Sequence, residues 1–408
     1  MTVAQKGTCD PRFEGVGKAF TRLFGGRLNG GGALCVYEDG KPIVDIWAGT
    51  CDRRGKQPWT QSTGAMLYSA SKGLSALVIH RLADRGLIDY DEPVATYWPE
   101  FASRSGERIT VRQLMLHRGG LSQLRGIAED ASDLLDHELM HSRLAEAMPD
   151  RHYGSPAYHA LTFGWLMSGL AGAVTGKSMR ELWQTELAEP LGIDELSLGA
   201  PPAGSPMTVA EFVDPFHIGE YGLSDAVFSV VKHLPTSLGN MVGSVDAGAG
   251  SAELLKGRDP ALLETQMPAA NGVATARALA RIYAPLATDG TLDGKRFLSE
   301  EAVRSFDGPY RWRRDRGLGL PMSWNHGFHR APIPVANGFG HVGIAGCFGW
   351  ADPATGVSVG FVHNRMLSTV VGDLGIFLWL LPMVTRAAAK PVRGSTAGPV
   401  PTRPSRVG

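Results

Sequence analysis

Segments with the pattern of β-strands lie near both ends of this 408-residue chain, and a long helical stretch separates them. At the amino-terminal end, two β-rich runs within Ala33–Trp47 flank Asp39-Gly40, a pair that favours a tight hairpin turn. Three further strand-like segments occur near the other end: Gly317–Trp324, Gly343–Ala351 and Gly356–His363. This arrangement predicts an α+β fold, in which both chain ends form one antiparallel sheet flanked by helices.

The middle of the chain is predicted to form a helical lobe inserted into the sheet lobe. Its apolar residues recur at helical spacing in Thr110–His117, Ala160–Val174, Ser178–Leu187 and Ala274–Ala287. We therefore expect a discontinuous sheet lobe (1–100 and 311–389, closed by a helix at about 368–388) and a mainly helical lobe (101–310). The stretch 200–245, rich in Pro, Gly and Ser, predicts lid or specificity loops, and 390–408 predicts a disordered tail.

The overall composition excludes several classes of partner. The chain has 40 Lys and Arg against 40 Asp and Glu, so nothing in its net charge favours nucleic acid or an anionic membrane. Its four cysteines form no C-x-x-C pair, which excludes a zinc ribbon or a thioredoxin-like redox motif. The amino terminus lacks an apolar signal region, and the most apolar stretch, Ile376–Val384, is too short to span a bilayer. We expect a cytoplasmic protein that acts on a small molecule, with homo-oligomerisation left open.

Ser69 and Lys72 form an S-x-x-K motif immediately before an apolar helix. Residues three apart share a helix face, so the serine hydroxyl and the lysine amine can meet. A serine hydroxyl needs a nearby base to become a nucleophile, and a lysine can serve if burial lowers its pKa. The N–H groups at a helix start can stabilise an oxyanion. The alternative is that Ser69 only caps the helix.

Two further motifs carry groups that suit the same chemistry. Tyr158 stands before the apolar helix His159–Leu170, where its hydroxyl could relay a proton; the alternative is a buried structural tyrosine. Gly340–Gly346 places glycines on a late strand, which favours close approach of another backbone or a ligand. A strand edge beside the Ser69 helix would supply a second oxyanion donor, with His341 pointing into the same cleft.

Together these three motifs resemble the serine β-lactamase and penicillin-binding-protein superfamily, and more closely its esterase branch, the class C β-lactamase-like carboxylesterases called family VIII. The resemblance runs from about residue 20 to 385. It includes Ile109–Leu121, whose His117-Arg-Gly-Gly-Leu is a structural signature of the family. The resemblance implies a β-lactamase/transpeptidase-like fold, no metal and no organic cofactor.

The resemblance also implies a role for each motif residue. Ser69 corresponds to the nucleophile, Lys72 to its base and Tyr158 to the tyrosine that relays protons to the leaving group. His341 and Gly343 occupy the third motif, commonly Lys-Thr-Gly in β-lactamases. The oxyanion hole would consist of the backbone N–H groups of Ser69 and Ile344.

Two departures from the lactamase pattern favour an ester substrate. Ala160 stands two residues after Tyr158, where an asparagine is usual, and His341 replaces the third-motif lysine. The resulting prediction is a carboxylesterase-type serine hydrolase. A β-lactamase, D-Ala peptidase or D-aminopeptidase of the same fold and a non-catalytic penicillin-binding-like domain are the alternatives. Tyr153 is a rival for the tyrosine role, less favoured because the apolar helix starts directly behind Tyr158.

Two other motifs match catalytic patterns without the context that these patterns require. His137-Glu-Leu-Met-His141 matches the zincin motif H-E-x-x-H, but the sequence shows no third ligand at metzincin spacing. Gly356-Val-Ser-Val-Gly360 matches the nucleophile elbow G-x-S-x-G, but Ser358 lies inside a strand pattern rather than at a strand-to-helix turn. We therefore expect no catalytic zinc and a structural role for Ser358, with a zinc hydrolase that uses His137 and His141 as a further alternative.

Overall fold

The predicted hairpin is part of a sheet that also contains the last strands of the chain. A computed structural model describes residues 3–25, 29–102, 109–213, 236–248, 250–251, 254, 260–308, 311–331, 336–366 and 370–389. In chain order, the strands are β1 (Lys6–Cys9), β2 (Gly31–Glu38), β3 (Lys41–Gly49), β4 (Thr63–Met66), β5 (Leu196–Leu198), β6 (Thr208–Val209), β7 (Gly272–Ala274), β8 (Thr291–Leu292), β9 (Lys295–Arg296), β10 (Arg313–Arg314), β11 (Pro321–Met322), β12 (Trp324–Asn325), β13 (Phe328–His329), β14 (Phe339–Val342), β15 (Phe348–Asp352) and β16 (Val357–His363).

The helices of the described segments are spread along the whole chain. In chain order, they are α1 (Glu14–Leu23), α2 (Ser71–Asp84), α3 (Val111–Met115), α4 (His137–Glu146), α5 (Thr162–Thr175), α6 (Met179–Leu182), α7 (Glu189–Leu191), α8 (Ser237–Gly243), α9 (Pro260–Glu264), α10 (Ala276–Tyr283), α11 (Glu300–Phe306) and α12 (Val370–Ala388). No helix in this part of the chain is long and apolar enough to cross a membrane.

The main sheet joins the two chain ends, which confirms the predicted α+β architecture. Its eight strands run in the order β1-β3-β2-β16-β15-β14-β13-β12, and every neighbouring pair is antiparallel. The pair that joins the two ends of the chain, β2 and β16, is in register from Gly32 opposite His363 to Glu38 opposite Val357. The hairpin turn has Asp39 and Gly40 at positive φ, as the sequence pattern predicts.

Helices cover both faces of this sheet. On one face, α1 and α12 bury aromatic side chains such as Phe20 and Phe377 against the strands. On the other face, α10 approaches the strands at two glycines: a Cβ on Gly349 would lie 2.2 Å from the Tyr283 ring, and one on Gly360 would lie 2.2 Å from Ala276 O. Gly360, the last residue of the elbow-like motif, therefore serves helix packing.

Helix α2 runs through the centre of the molecule. Eleven of its fourteen residues are buried, and it packs against α5 as well as against β14. A helix that is apolar on nearly all sides belongs in a core, where no face needs to meet water. The residues at its amino-terminal end, Ser71 and Lys72, are consequently buried.

Local capping signals explain where several predicted helices begin and end. Thr110 and Gln113 form a capping box that starts α3, and Ser178 and Glu181 form another that starts α6. The segment predicted as Ala160–Val174 is α5, which ends at Gly176 in the left-handed conformation. Beyond α6 the backbone widens into a π-helical turn, Trp183–Ala188, so this predicted helix is not a regular one.

Two predicted strands are interrupted by turns. Within Gly317–Trp324, the N–H groups of Gly317 and Leu318 bond the Asp315 carboxylate, so the chain turns before the short strands β11 and β12. Within Gly343–Ala351, Gly346 donates to Gly343 O at 2.8 Å, and β15 begins only at Phe348. Side-chain capture of backbone N–H groups competes with strand pairing in this way.

Parts of two predicted segments lie outside the described residues. Of the loops expected at 200–245, the structure describes 200–213 and 236–245, and it includes β6 and α8 there. Residues 390–408, predicted as a disordered tail, fall entirely outside the described part of the chain.

Candidate active site

Ser69 lies in a short 3₁₀ turn, Tyr68–Ala70, between β4 and α2. Tyr68 has a φ of 50°, which is uncommon for a residue with a Cβ and makes the chain turn sharply. Tyr68 and Ala70 are buried, whereas the Ser69 side chain is partly exposed. Ser69 forms no side-chain capping bond to α2, so the structure does not support the capping alternative. The turn presents the hydroxyl at the start of a buried helix.

The Lys72 amine reaches the Ser69 hydroxyl from the first turn of α2. Lys72 is completely buried, with Nζ 3.1 Å from Ser69 Oγ and 3.0 Å from the carbonyl oxygen of Ala269. Among the described residues, no carboxylate forms an ion pair with it. Burial without a counter-charge lowers the Lys72 pKa well below its usual value. A neutral amine with a free lone pair can accept the serine proton.

The Ala269 carbonyl is held in place by a loop that the sequence analysis missed. Ser75 Oγ donates to Pro268 O at 2.8 Å, and Ser71 Oγ accepts from the Gly272 N–H at 3.1 Å. Asn271 closes the loop from within, because its Oδ1 accepts from the Met267 N–H. The loop is thus fastened to two turns of α2, and it aims one carbonyl at Lys72. No local sequence signal links these residues to Lys72.

Tyr158 is the tyrosine that the fold brings to Ser69. Its ring centroid lies 5.0 Å from Lys72 Nζ. Burial raises the Tyr158 pKa well above its usual value, and a smaller effect of the nearby Ser69 hydroxyl partly opposes this shift. The group is therefore a neutral hydroxyl that can donate a proton. The rival Tyr153 instead lies beside Gln113, with its hydroxyl 3.5 Å from Nε2.

The third motif contacts the Ser69 turn through a glycine. An added Cβ on Gly343 would lie only 2.4 Å from Leu67 O and 3.1 Å from Tyr68 Cβ, so the two backbones touch there. The chain leaves β14 at Val342, and Ile344 follows Gly343 in a partly exposed turn. Within the described segments, no acceptor is bonded to the Ile344 N–H. This donor and that of Ser69 come from two segments in contact.

His341 lies behind the same cleft as an uncharged ring. It is 2% exposed, and its Nδ1 lies 3.1 Å from Val342 O, which makes Nδ1 the protonated nitrogen. Its ring centroid is 6.2 Å from that of Tyr158. Burial, with smaller contributions from His329 and Lys72, lowers the His341 pKa well below its usual value. At neutral pH this position cannot provide the positive charge of a lysine.

His117 stabilises the loop under Tyr158, which agrees with its expected structural role. Its Nδ1 accepts from the His159 N–H at 3.3 Å, and its carbonyl accepts from the Ala157 N–H at 2.9 Å. Its ring packs edge-on against that of Tyr158, with centroids 5.0 Å apart. His159 in turn accepts from the Leu121 N–H through Nε2. The signature loop and the tyrosine loop are thereby interlocked.

Both alternative motifs lie outside this cluster. Ser358 is fully buried on β16 and donates to Ala280 O at 2.8 Å, a strand position facing α10. His137, Glu138 and His141 on α4 have ligand atoms within 4.8 Å of one another, and among the described residues they are the one group of this kind. His137 is already bonded at both ring nitrogens, to Gln266 O and to Ser168 Oγ.

Comparison with known proteins gives a consistent family assignment. The family model described as Beta-lactamase matches residues 20–380. The protein named Esterase/beta-lactamase LipL, from Mycobacterium tuberculosis, is 50% identical over 390 residues, which is 94% of this chain and 89% of the relative.

Solved structures agree with this assignment. A family VIII carboxylesterase has a TM-score of 0.81 at 30% identity, over 94% of this chain and 100% of that one. A penicillin-binding protein homologue from Caulobacter crescentus has a TM-score of 0.78 at 31% identity, with the same coverage.

Proposed function

The chain belongs to the beta-lactamase family and is a hydrolase, and from that premise we propose that it cleaves carboxylic esters through an acyl-enzyme on Ser69. The observation that carries the proposal is the buried Lys72 amine, 3.1 Å from a partly exposed serine hydroxyl. No metal and no organic cofactor takes part in this mechanism.

The first half of the reaction forms the acyl-enzyme. Ser69 Oγ attacks the ester carbonyl while Lys72 Nζ takes the hydroxyl proton. The carbonyl oxygen becomes negative and is stabilised by the N–H groups of Ser69 and Ile344, a donor pair of the kind whose members each contribute about 3 kcal/mol in comparable sites. Tyr158 gives its proton to the departing alkoxide, and the neighbouring Lys72 can replace that proton.

The second half hydrolyses the acyl-enzyme. A water molecule attacks the acyl carbonyl, with Tyr158 and Lys72 taking its proton, and the same two N–H groups stabilise the second oxyanion. The proton then returns to Ser69 Oγ as the acid leaves. The second half uses the same side chains as the first, with the proton transfers running in the opposite direction. One arrangement of side chains therefore serves both steps.

The neutral environment of the site favours uncharged esters over β-lactams and D-Ala peptides. Those substrates carry a carboxylate, and His341 offers it no charge. Ala160 also lacks the amide that could bond a lactam side chain. A neutral donor in place of a charged one costs roughly 1–2 kcal/mol, about tenfold in affinity. A β-lactamase activity remains the second candidate, because one relative's name includes it.

Two measurements test the proposal. A fluorophosphonate probe should modify Ser69, as located by mass spectrometry of the labelled protein; modification of Ser358 instead would refute the assigned nucleophile. Ser69→Ala should abolish turnover of a short p-nitrophenyl ester, while Ser358→Ala keeps most of it. If wild-type enzyme hydrolyses nitrocefin as well as the ester, the esterase assignment is wrong.

A further inference from the structure

Asp315 is a buried carboxylate beside the tyrosine loop whose contacts the proposed mechanism does not use. It is 0% exposed, and its Oδ1 accepts from the N–H groups of Tyr158 (3.1 Å), Gly317 (2.8 Å) and Leu318 (2.8 Å). Its Oδ2 accepts from the Trp324 indole N–H at 2.8 Å. All four partners are donors, which suits an ionised carboxylate with two acceptor oxygens.

We propose that Asp315 is a positioning residue that holds the Tyr158 hydroxyl in line with Ser69 and the leaving group. The proposal rests on the proposed function, because it assumes that Tyr158 protonates the leaving alkoxide. Asp315 touches neither the substrate nor the reacting atoms, and it acts through Tyr158 and Trp324.

The carboxylate holds Tyr158 at two points. One oxygen fixes its backbone, and the adjacent turn is docked so closely that a Cβ on Gly317 would lie 3.1 Å from Tyr158 N. The other oxygen fixes the Trp324 indole, which stacks on the Tyr158 ring with a 2° angle between planes and 5.2 Å between centroids. His117 closes the stack from the side, 4.5 Å from Trp324. The Asp315 carboxylate therefore fixes both the backbone and the ring of Tyr158.

The charge of Asp315 acts in the same direction as its geometry. A negative charge near a phenol disfavours the phenolate, and Asp315 contributes to the raised Tyr158 pKa, after the larger effect of burial. The neighbouring bases Lys72, His117 and His341 are all kept neutral by burial and offer no opposing cation. Tyr158 therefore remains a proton donor.

If Asp315 supports protonation of the leaving group, its loss should slow some esters more than others, whereas general structural damage should slow all esters alike. An alkoxide must be protonated as it departs, whereas p-nitrophenolate is stable enough to leave without a proton. Ethyl butyrate and p-nitrophenyl butyrate give the same butyryl-enzyme, so only acylation differs between them. Loss of Tyr158 positioning should slow the ethyl ester far more than the activated ester.

The experiment compares kcat/KM for the two butyrates in wild type, Asp315→Asn, Trp324→Phe and Tyr158→Phe. Asp352→Asn is the matched control, since Asp352 is also buried and accepts a backbone N–H, from Ala354, in a turn after β15. Asp315→Asn should lose about 10²-fold on the ethyl ester, the loss that a misplacement near 1 Å can cause, and only a few-fold on the activated ester. Trp324→Phe should show a smaller loss with the same selectivity, and Asp352→Asn should show none.

The outcomes separate this inference from the proposed function. Equal losses on the two esters in both Asp315→Asn and Trp324→Phe, or no loss in either, would overturn the positioning role. If Asp315→Asn does not fold, Trp324→Phe alone decides. Lack of ester selectivity in Tyr158→Phe would instead refute the assignment of Tyr158, and the present inference would fall with it.

Discussion

The environment of Lys72 determines the proton chemistry at the residue scale. A lysine amine in water holds its proton at neutral pH, and a neighbouring carboxylate would strengthen that hold. Lys72 instead contacts a hydroxyl and a carbonyl, and it is completely buried. These neutral partners stabilise the charged form less than water or a carboxylate would, so burial lowers the pKa of the amine on folding. The lowered pKa suits the base that we propose, and it also costs stability.

We predict that Lys72→Met abolishes activity and removes a pH dependence of stability. Between the lowered native pKa and the usual 10.5, the unfolded chain binds a proton at Lys72 that the native state does not. Wild-type stability therefore rises with pH in that window, by about 1.4 kcal/mol per pH unit from this group. The difference in unfolding free energy between variant and wild type, from denaturant titrations at several pH values, should change with that slope.

Lys72→Arg serves as the control for this prediction. A guanidinium cannot act as a base at usable pH, so this variant should be nearly as inactive as Lys72→Met although it keeps a cationic group. Substantial ester turnover in Lys72→Arg would move the base to another residue, with Tyr158 the next candidate.

Replacing His341 should change which substrates bind. We predict that His341→Lys raises kcat/KM for nitrocefin relative to a neutral short-chain ester by about tenfold, because a cation forms a stronger hydrogen bond to the substrate carboxylate than a neutral imidazole. The ratio of the two kcat/KM values in wild type and variant is the measurement. An unchanged ratio would mean that residue 341 does not contact the substrate carboxylate.

Sequence alone could predict the residues of the site whose relation is local. Ser69 lies in the 3₁₀ turn that leads into α2 and Lys72 in the first turn of α2, so their three-residue spacing brings the two side chains together. Ala269 and Asp315 could not be found in this way. Ala269 contacts Lys72 across 197 positions, and Asp315 contacts Tyr158 across 157. A backbone carbonyl leaves no trace in residue type, and one aspartate among many shows no sign of its burial.

At the element scale, the site depends on how closely β14 approaches the turn before α2. Gly343 is where the two segments touch, and it is the residue beside one of the two proposed oxyanion donors. Its φ is not positive, so steric room rather than backbone freedom requires glycine there. The distance between the two proposed donors, the N–H groups of Ser69 and Ile344, is therefore set by a contact that leaves no room for a side chain at residue 343.

We predict that Gly343→Ala lowers kcat at least 10²-fold, because the added methyl forces Leu67 and the third motif apart and misplaces an oxyanion donor. Circular dichroism should show an intact fold, and kcat should fall more than KM rises. Gly15→Ala on α1 is the matched control, since nothing lies within 4 Å of its added Cβ. Wild-type kcat in Gly343→Ala would show that the donors do not depend on this contact.

Helices were more predictable than strands for a physical reason. The starts of α3 and α6 follow from capping boxes formed by the residue before each helix and the third residue within it. The error at Gly317–Trp324 arose because a side chain, Asp315, captures backbone N–H groups that a strand would pair. Apolar composition cannot reveal such competition, since it reports burial and not the direction of the backbone.

At the scale of the whole molecule, the H-E-x-x-H segment and the serine site are separate groups of side chains. His137 bonds Gln266 and Ser168, and the metal-competent group includes none of Ser69, Lys72 and Tyr158. We predict that His137→Ala and His141→Ala each leave ester turnover within a few-fold, and that elemental analysis finds no stoichiometric zinc. Activity that is lost to a chelator and restored by zinc would contradict this.

The same antiparallel sheet that unites the chain ends was the most predictable large-scale feature. Strand patterns at both ends require partners, and the only way to bury them together is to bring the ends side by side. The strand order, with β16 inserted between β2 and β15, could not be read from the patterns, because several antiparallel orders bury the same apolar faces. The lobe boundaries at 1–100, 101–310 and 311–389 remain a proposal.

The pairing of β2 with β16 also sets when the protein can first act during its synthesis. Gly31 donates its N–H to Asn364 Oδ1 across 333 positions, and the third motif precedes that asparagine by only about twenty residues. When Ser69, Lys72 and Tyr158 have been synthesised, the third motif, which would complete the proposed oxyanion hole, has not. Until then β2 has an open edge, ready to pair with other nascent chains. The enzyme should therefore gain activity abruptly, only once the third motif and β16 have been synthesised, and a chain terminated before them should aggregate rather than hydrolyse esters slowly.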